Sequence, residues 1–309
     1  MRVIITGGAG LIGRALAANL AADGYEVIVL SRNPERVSGL PIRVRAERWD
    51  GRTAQGWGQL ADGAEAIVNL AGENLAGAGF FPSRWTAARK EKIMQSRLDA
   101  GAAVVAATRA AFAKPRVVIQ SSGIGVYGPR GDEEVTEAEP PGRDFLGQLA
   151  TQWEASTAAV ETLGVRRAVI RSGVVLDPHD GALLRMLLPF RLFVGGWFGA
   201  GRQWLSWIHL ADETAGIRFL IENRQASGVF NLTAPQPLTG RDFGRAIGRV
   251  MRRPAFMPVP AFAMRLAFGE VATTVLDGQR AVPRRLLDLG FQFRFPDAEG
   301  ALRDLLSAY

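Results

Sequence analysis

Cysteine is absent from the 309 residues, and histidine occurs only twice, at His179 and His209. Without a thiol there is no structural disulfide and no thiolate metal site, and the composition fits a reducing compartment. Two isolated histidines make no cluster with metal-ligand spacing, so no metal is expected. Also missing is any uninterrupted apolar run approaching the roughly 20 residues that span a bilayer. No basic segment followed by a long apolar stretch opens the chain, so no leader peptide is expected. There is no internal repeat and no low-complexity tract. The formal charge of +7 comes from arginines scattered along the chain. They form no single stripe and accompany no RNP, zinc-finger or basic-zipper pattern, which excludes nucleic acid as the expected partner. The expectation is a cytoplasmic monomer or homodimer that takes a small-molecule substrate and meets no membrane.

What is present is concentrated at the start. Val3-Ile4-Ile5 leads into Thr6-Gly7-Gly8-Ala9-Gly10-Leu11-Ile12-Gly13 and then a run rich in alanine and leucine. Glycines at 7, 10 and 13 fit a strand that turns into a helix whose N-terminus approaches a pyrophosphate. Gly7 permits the tight turn, Gly10 leaves no Cβ between backbone and phosphate, and Gly13 lets helix and sheet pack closely. The N–H groups of Leu11 and Ile12, with the helix dipole, favour the anion. A second strand at 26–30 ends in Ser31-Arg32. An acidic residue there accepts hydrogen bonds from ribose hydroxyls, whereas arginine suits a 2′-phosphate, so Ser31 and Arg32 argue for NADP(H).

Strands alternate with helices through the first half, the signature of a doubly wound parallel sheet of Rossmann type. Strands are expected at 3–6, 26–30, 43–47, 66–71, 116–121 and 167–171, with helices at 11–22, around 57–60, at 85–111 and at 145–163. After residue 172 the rhythm changes: eight prolines, from Pro178 to Pro283, punctuate shorter elements. The expected division is a nucleotide-binding domain of residues 1–171 plus about 206–234, and a smaller substrate lobe of about 172–205 plus 235–309.

Two later segments carry chemistry at expected strand ends, Asn69-Leu70-Ala71-Gly72-Glu73-Asn74 and Gln120-Ser121-Ser122-Gly123-Ile124-Gly125-Val126-Tyr127-Gly128. With the opening glycines, Trp207-Ile208-His209-Leu210-Ala211-Asp212 and Gly228 to Pro235, they make the chain resemble the extended short-chain dehydrogenase/reductase superfamily over essentially its whole length. Arg84-Trp85, Ser96-Arg97, Trp153-Glu154, Arg252-Arg253-Pro254 and Gly278-Gln279-Arg280-Ala281-Val282-Pro283 look more narrowly like its atypical epimerase-like branch, the NAD(P)-dependent epimerase/dehydratase family. The resemblance implies NADP(H) binding by Thr6, Gly7, Gly10, Leu11, Ile12, Gly13, Ser31, Arg32, Leu70, Ala71, Gly72, Glu73 and Ser96.

The chain also departs from the pattern. The Tyr-x-x-x-Lys pair that exchanges a proton with substrate in the superfamily is replaced by Leu146 and Ala150, and Gly123 stands where a catalytic Ser or Thr is usual. Substitutes come from local chemistry: Ser121 or Ser122 could bond a substrate oxygen, or simply satisfy backbone at a strand end. Tyr127 could donate a proton or line the pocket. Lys90 and Arg97 share a helical face where a cation could replace the missing lysine, and Arg185, Arg191, Arg202 and Arg280 could present forks to a diphosphate or carboxylate. His209 resembles a structural histidine of the family. The expected function is an NADP(H)-dependent oxidoreductase acting on a small polar or nucleotide-linked carbonyl or alcohol. The alternatives are an NADP(H)-binding sensor without turnover and, third, a nucleotide-sugar epimerase or dehydratase.

Overall fold

Valine and isoleucine on both faces of a strand need cover on both sides, which a parallel sheet flanked by helices supplies. The computed structural model, which describes residues 1–77 and 79–307, has that architecture. Seven parallel strands form the central sheet: Arg2–Thr6 (β1), Glu26–Ser31 (β2), Val44–Arg48 (β3), Ala66–Asn69 (β4), Val117–Gly123 (β5), Arg166–Ser172 (β6) and Gly228–Leu232 (β7). Their spatial order is β3-β2-β1-β4-β5-β6-β7. The order reverses between β1 and β4, so the carboxyl ends of these two strands open a crevice at the switch point.

Helices Leu11–Ala22 (α1) and Leu210–Glu222 (α5) cover one face, burying Leu16, Leu20, Ile217 and Leu220 against Val3, Ile5 and Ile119. Helix Ala87–Ala110 (α2) covers the other, where Ala100, Ala103 and Val104 meet Ile4, Ile67 and Val118. Helix Phe145–Ala155 (α3) follows β5 on this side. A separate core lies beyond the sheet: Gly181–Arg191 (α4) and Gly240–Met251 (α6) pack Leu183, Leu187, Phe190, Phe243 and Ile247 around Trp207. Among the described residues no helix is long and apolar enough to cross a membrane.

Three expected elements differ. The helix expected over 145–163 stops at Ala155, and a 3-10 turn runs over Ala158–Leu163. Ser156 turns its hydroxyl back to the Trp153 carbonyl, and the buried Thr157 hydroxyl accepts from Arg167 of β6, so local polar bonds displace helix continuation. β4 ends two residues early because Ala71 N–H bonds the Thr6 side chain (3.2 Å) and bends the chain. Around Trp57 there is only a 3-10 turn, Gly58–Ala61, with the Trp57 ring fully buried.

Candidate active site

The three opening glycines do three different things. Gly7 has φ +67°, and a Cβ there would lie 2.9 Å from the Leu70 carbonyl and the Ala71 nitrogen, so the turn and the β4 end lock together only without a side chain. A Cβ on Gly13 would meet Gly8 Cα at 2.5 Å, which fixes the close seating of α1 on the loop. Gly10 is different: it is the N-cap of α1, its backbone is extended (φ −79°), and its Cβ would touch only the Gly7 oxygen at 3.3 Å. No side chain caps this helix, and no acidic residue lies in its first turn. The first turn of α1 is therefore a cradle whose N–H groups have no side-chain acceptor and whose floor has no Cβ, which is what a pyrophosphate requires.

Beneath it runs a buried polar ladder that local sequence patterns do not reveal. Thr6 Oγ1 donates to Asn69 Oδ1 (2.6 Å), Asn69 Nδ2 donates to Gln120 Oε1 (2.9 Å), and Gln120 Nε2 donates to the Ser121 carbonyl (2.7 Å). The ladder ties the carboxyl ends of β1, β4 and β5 into one rigid rim. Its advance signal is Thr6 and Asn69 at the carboxyl ends of β1 and β4 and Gln120 within β5.

Next to the cradle, a cleft of about 280 Å³ is lined by Ala9, Arg14, Ser31, Asn33, Arg36, Val37 and Ser38. Arg32 lies outside that lining. Its carbonyl takes a hydrogen bond from Arg48 (3.3 Å), and its Cδ lies toward Gly51. The short turn Pro34–Arg36 carries Arg36 to the cleft wall, where it meets Arg14 of α1, which donates to the Ala9 carbonyl (2.8 Å) and lies 3.8 Å from Asp180. Arg14 and Arg36 line the cleft, and Arg32 stands beside it on the chain.

At the β4 end, Ser96 of α2 donates to the Ile93 carbonyl (2.9 Å) and accepts from Glu73 N–H (2.9 Å). Arg97 is buried beside Gly72, donates to the Glu73 and Ile93 carbonyls (3.0 and 2.9 Å) and stacks on Trp153 at 4.6 Å. Burial pushes its guanidinium down to about 10, so it stays charged at neutral pH. Lys90 instead pairs with Glu270 (2.6 Å) and sits over Phe145. The two cations expected on one face thus serve different neighbours. Arg185 is occupied with the Gly79 and Phe80 carbonyls, and Arg280 with Glu134 and the Trp204 ring.

The β5 end separates its two serines. Ser122 points toward α3 and donates to Glu154 Oε1 (2.7 Å). Glu154 holds Arg171 through two bonds of 2.8 and 2.9 Å, and Arg171 Nη1 donates to Tyr127 Oη (3.0 Å). Tyr127 Oη in turn donates to Asn231 Oδ1 (2.6 Å). Tyr127 is buried, and burial raises its pKa against the opposing effect of Arg171. Its hydroxyl is spent inside the protein. Ser121, on the opposite face of β5, forms no side-chain hydrogen bond among the described residues. Where tyrosine and lysine were missing from the sequence, Leu146 packs beside Gly125 and Ala150 is buried. Leu146 belongs to an apolar wall with Trp85, Ile93, Leu149 and Val271. His209 caps α5, accepting from Ala211 N–H at 3.0 Å, and stacks on Phe295.

This geometry has counterparts. The model of the NAD dependent epimerase/dehydratase family matches residues 3–233, and a domain of unknown function, DUF1731, matches residues 259–305. Epimerase family protein YfhF of Bacillus subtilis is 36% identical over 308 residues, 99% of this chain and 98% of that one. The mouse epimerase family protein SDR39U1 is 36% identical over 313 residues, with 99% and 100% covered. The crystal structure of human SDR39U1 (isoform 2) with NADPH superposes over the full length of both chains with a TM-score of 0.85 at 33% identity. A Thermus thermophilus UDP-glucose 4-epimerase with NAD shares the fold at 18% identity and a TM-score of 0.75. Whole-length identity to the first three, together with the glycine cradle at the sheet's switch point, places this chain in the NAD-dependent epimerase/dehydratase family, among the SDR39U1-type epimerase family proteins.

Proposed function

We propose that the protein is an NADP(H)-dependent oxidoreductase of the extended short-chain type, acting on a small polar or nucleotide-linked carbonyl or alcohol. The observation that carries the reading is the uncapped, Cβ-free first turn of α1 beside a cleft walled by Arg14 and Arg36. A dinucleotide laid there would supply hydride transfer at the nicotinamide. The chain's own part is binding and orientation. Backbone N–H groups of Leu11 and Ile12 would hold the pyrophosphate, and Arg14, Arg36 and Ser31 would suit a 2′-phosphate. Leu70 and Ala71 pack against Gly7 beside that turn, and Ser96 and Arg97 tie the following residues down through Glu73. Human SDR39U1, crystallised with NADPH, supports the choice of NADP(H).

For the substrate oxygen, Ser121 is the hydroxyl with capacity left. Ser122 and Tyr127 are positioning residues that stiffen the β5 end through Glu154, Arg171 and Asn231. Titration of tryptophan fluorescence with NADPH and NADH tests the cofactor, and a screen of NADPH consumption over carbonyl substrates tests turnover. Tight NADPH binding with far weaker NADH binding is expected; equal affinities refute the arginine-walled cleft as the selector. A second reading, an NADP(H)-binding sensor without turnover, is favoured by one feature, the apolar side chains of Leu146 and buried Ala150 where an acid–base pair would stand. Tight NADPH binding with no consumption of any carbonyl would select it.

A further inference from the structure

Two helices beyond the sheet end in a way that their sequence makes costly. Past the end of α4, Phe193 has φ +62°, and Arg252, the C-cap of α6, has φ +54°. A left-handed residue closing a helix is ordinarily glycine or asparagine, because a Cβ is strained there. Neither side chain is repaid by burial: Phe193 is 55% exposed, and Arg252 is exposed and forms no ion pair among the described residues. The two helix ends lie side by side. Gly195 and Ala255 form a β-bridge, Phe256 and Met257 N–H both donate to the Gly195 carbonyl (3.0 Å), and the Arg253 guanidinium lies 4.2 Å over the Phe193 ring.

The surface they share is apolar and basic at once. Leu192, Phe256 and Met257 stand 63%, 59% and 46% exposed on the two adjoining loops. Beside them Arg245, Arg249, Arg252 and Arg253 line an open hollow of about 370 Å³. The acids that reach these arginines are Asp242, 3.7 Å from Arg245, and Glu299, 3.2 Å from Arg249. Positive charge is therefore left over next to protruding apolar tips.

We propose that this surface docks on an anionic phospholipid bilayer, the arginines taking headgroup phosphates while Leu192, Phe193, Phe256 and Met257 enter the boundary with the acyl chains. Guanidinium forks suit phosphate, and their stems tolerate an apolar surround. Charge argues against a second copy of the chain, since a two-fold contact would set the four arginines against the same four. Shape argues against a docked helix or strand, since the exposed apolar side chains of the two loops are not among the residues that line the hollow. The proposal departs from the expectation of no membrane partner, and it does not depend on the oxidoreductase reading.

The strained positions supply the test. Phe193→Gly and Arg252→Gly place glycine where the backbone asks for it, so both variants should melt no lower than the wild type and bind NADPH unchanged. The full-length protein is sedimented with vesicles of phosphatidylcholine containing about one third phosphatidylglycerol, and with phosphatidylcholine alone. Binding to the mixed vesicles only is expected. The double variant should lose at least about tenfold of it, from one cation and one inserted ring. Wild-type protein that ignores the mixed vesicles overturns the proposal, as does a double variant that binds them undiminished. Vesicle binding abolished by millimolar inorganic phosphate would identify a soluble-anion site and overturn it. So would co-elution with polyglutamate in place of vesicles, which would identify an acidic protein surface.

Discussion

Replacing Gly10 by valine separates the ligand contact from the fold. At this position the backbone is extended, so a branched residue adopts it without the strain that Gly7 would suffer at φ +67°. The only protein atom near the new Cβ is the Gly7 oxygen at 3.3 Å, a contact relieved by a shift of a few tenths of an ångström. The helix loses no capping side chain, because Gly10 offers none. The stability cost should therefore be about 1 kcal/mol or less. The valine methyls, however, project over the first turn of α1, into the space assigned to the pyrophosphate. NADPH affinity should fall at least about tenfold, about 1.4 kcal/mol. Gly13→Ala is the matched contrast: its Cβ meets Gly8 Cα at 2.5 Å, inside the protein, so it should destabilise the fold itself. Fluorescence titration gives the affinities, and circular dichroism melts give the stabilities. A well-folded Gly10→Val protein that binds NADPH like the wild type would reduce the opening motif to a turn and remove the basis of the oxidoreductase reading.

Arg36→Ala and Arg14→Ala should each weaken NADPH by roughly tenfold and leave NADH nearly unchanged, whereas Arg32→Ala should change little; isothermal titration of all three decides which arginine reads the 2′-phosphate. Tyr127→Phe removes a buried hydroxyl that joins Arg171 to Asn231. Urea denaturation should show a loss of about 1–3 kcal/mol with NADPH affinity intact; unchanged stability with lost turnover would return Tyr127 to the chemistry. Glu213 is fully buried beside Ser172, and burial raises its carboxyl to about 8. The folded state then keeps a proton that the unfolded chain releases near 4.5. Its contribution is thus intact below pH 4.5 and is lost as the pH rises toward 8. Glu213→Gln should gain stability over wild type across that window, on the order of 4 kcal/mol at its upper end, and denaturation curves showing a constant difference at all pH values would refute it.

The opening glycines were legible from spacing alone because each role is a local backbone requirement: a positive φ at Gly7, a missing Cβ at Gly10, close packing at Gly13. The alternation of apolar strands and helices likewise identified the parallel sheet. Those features depend on residues near one another in the chain. The pairings that decide the site join residues far apart in sequence. Ser121 and Ser122 are neighbours, yet strand alternation sends one to each face, and only the arrival of Glu154 and Arg171 commits Ser122. The Tyr127 hydroxyl donates a hydrogen bond to Asn231, 104 residues on, a pairing no local pattern shows. Arg36 lines the cleft because a short turn follows Arg32 and carries the chain to it. The sequence by itself determined the sheet and the glycine turn, since period and backbone conformation are local properties, and the family resemblance implied the missing Tyr-x-x-x-Lys pair. Tertiary structure alone decided which hydroxyls are paired inside the protein and which arginines line the cleft, because a polar group's capacity depends on whichever distant partner the fold brings to it.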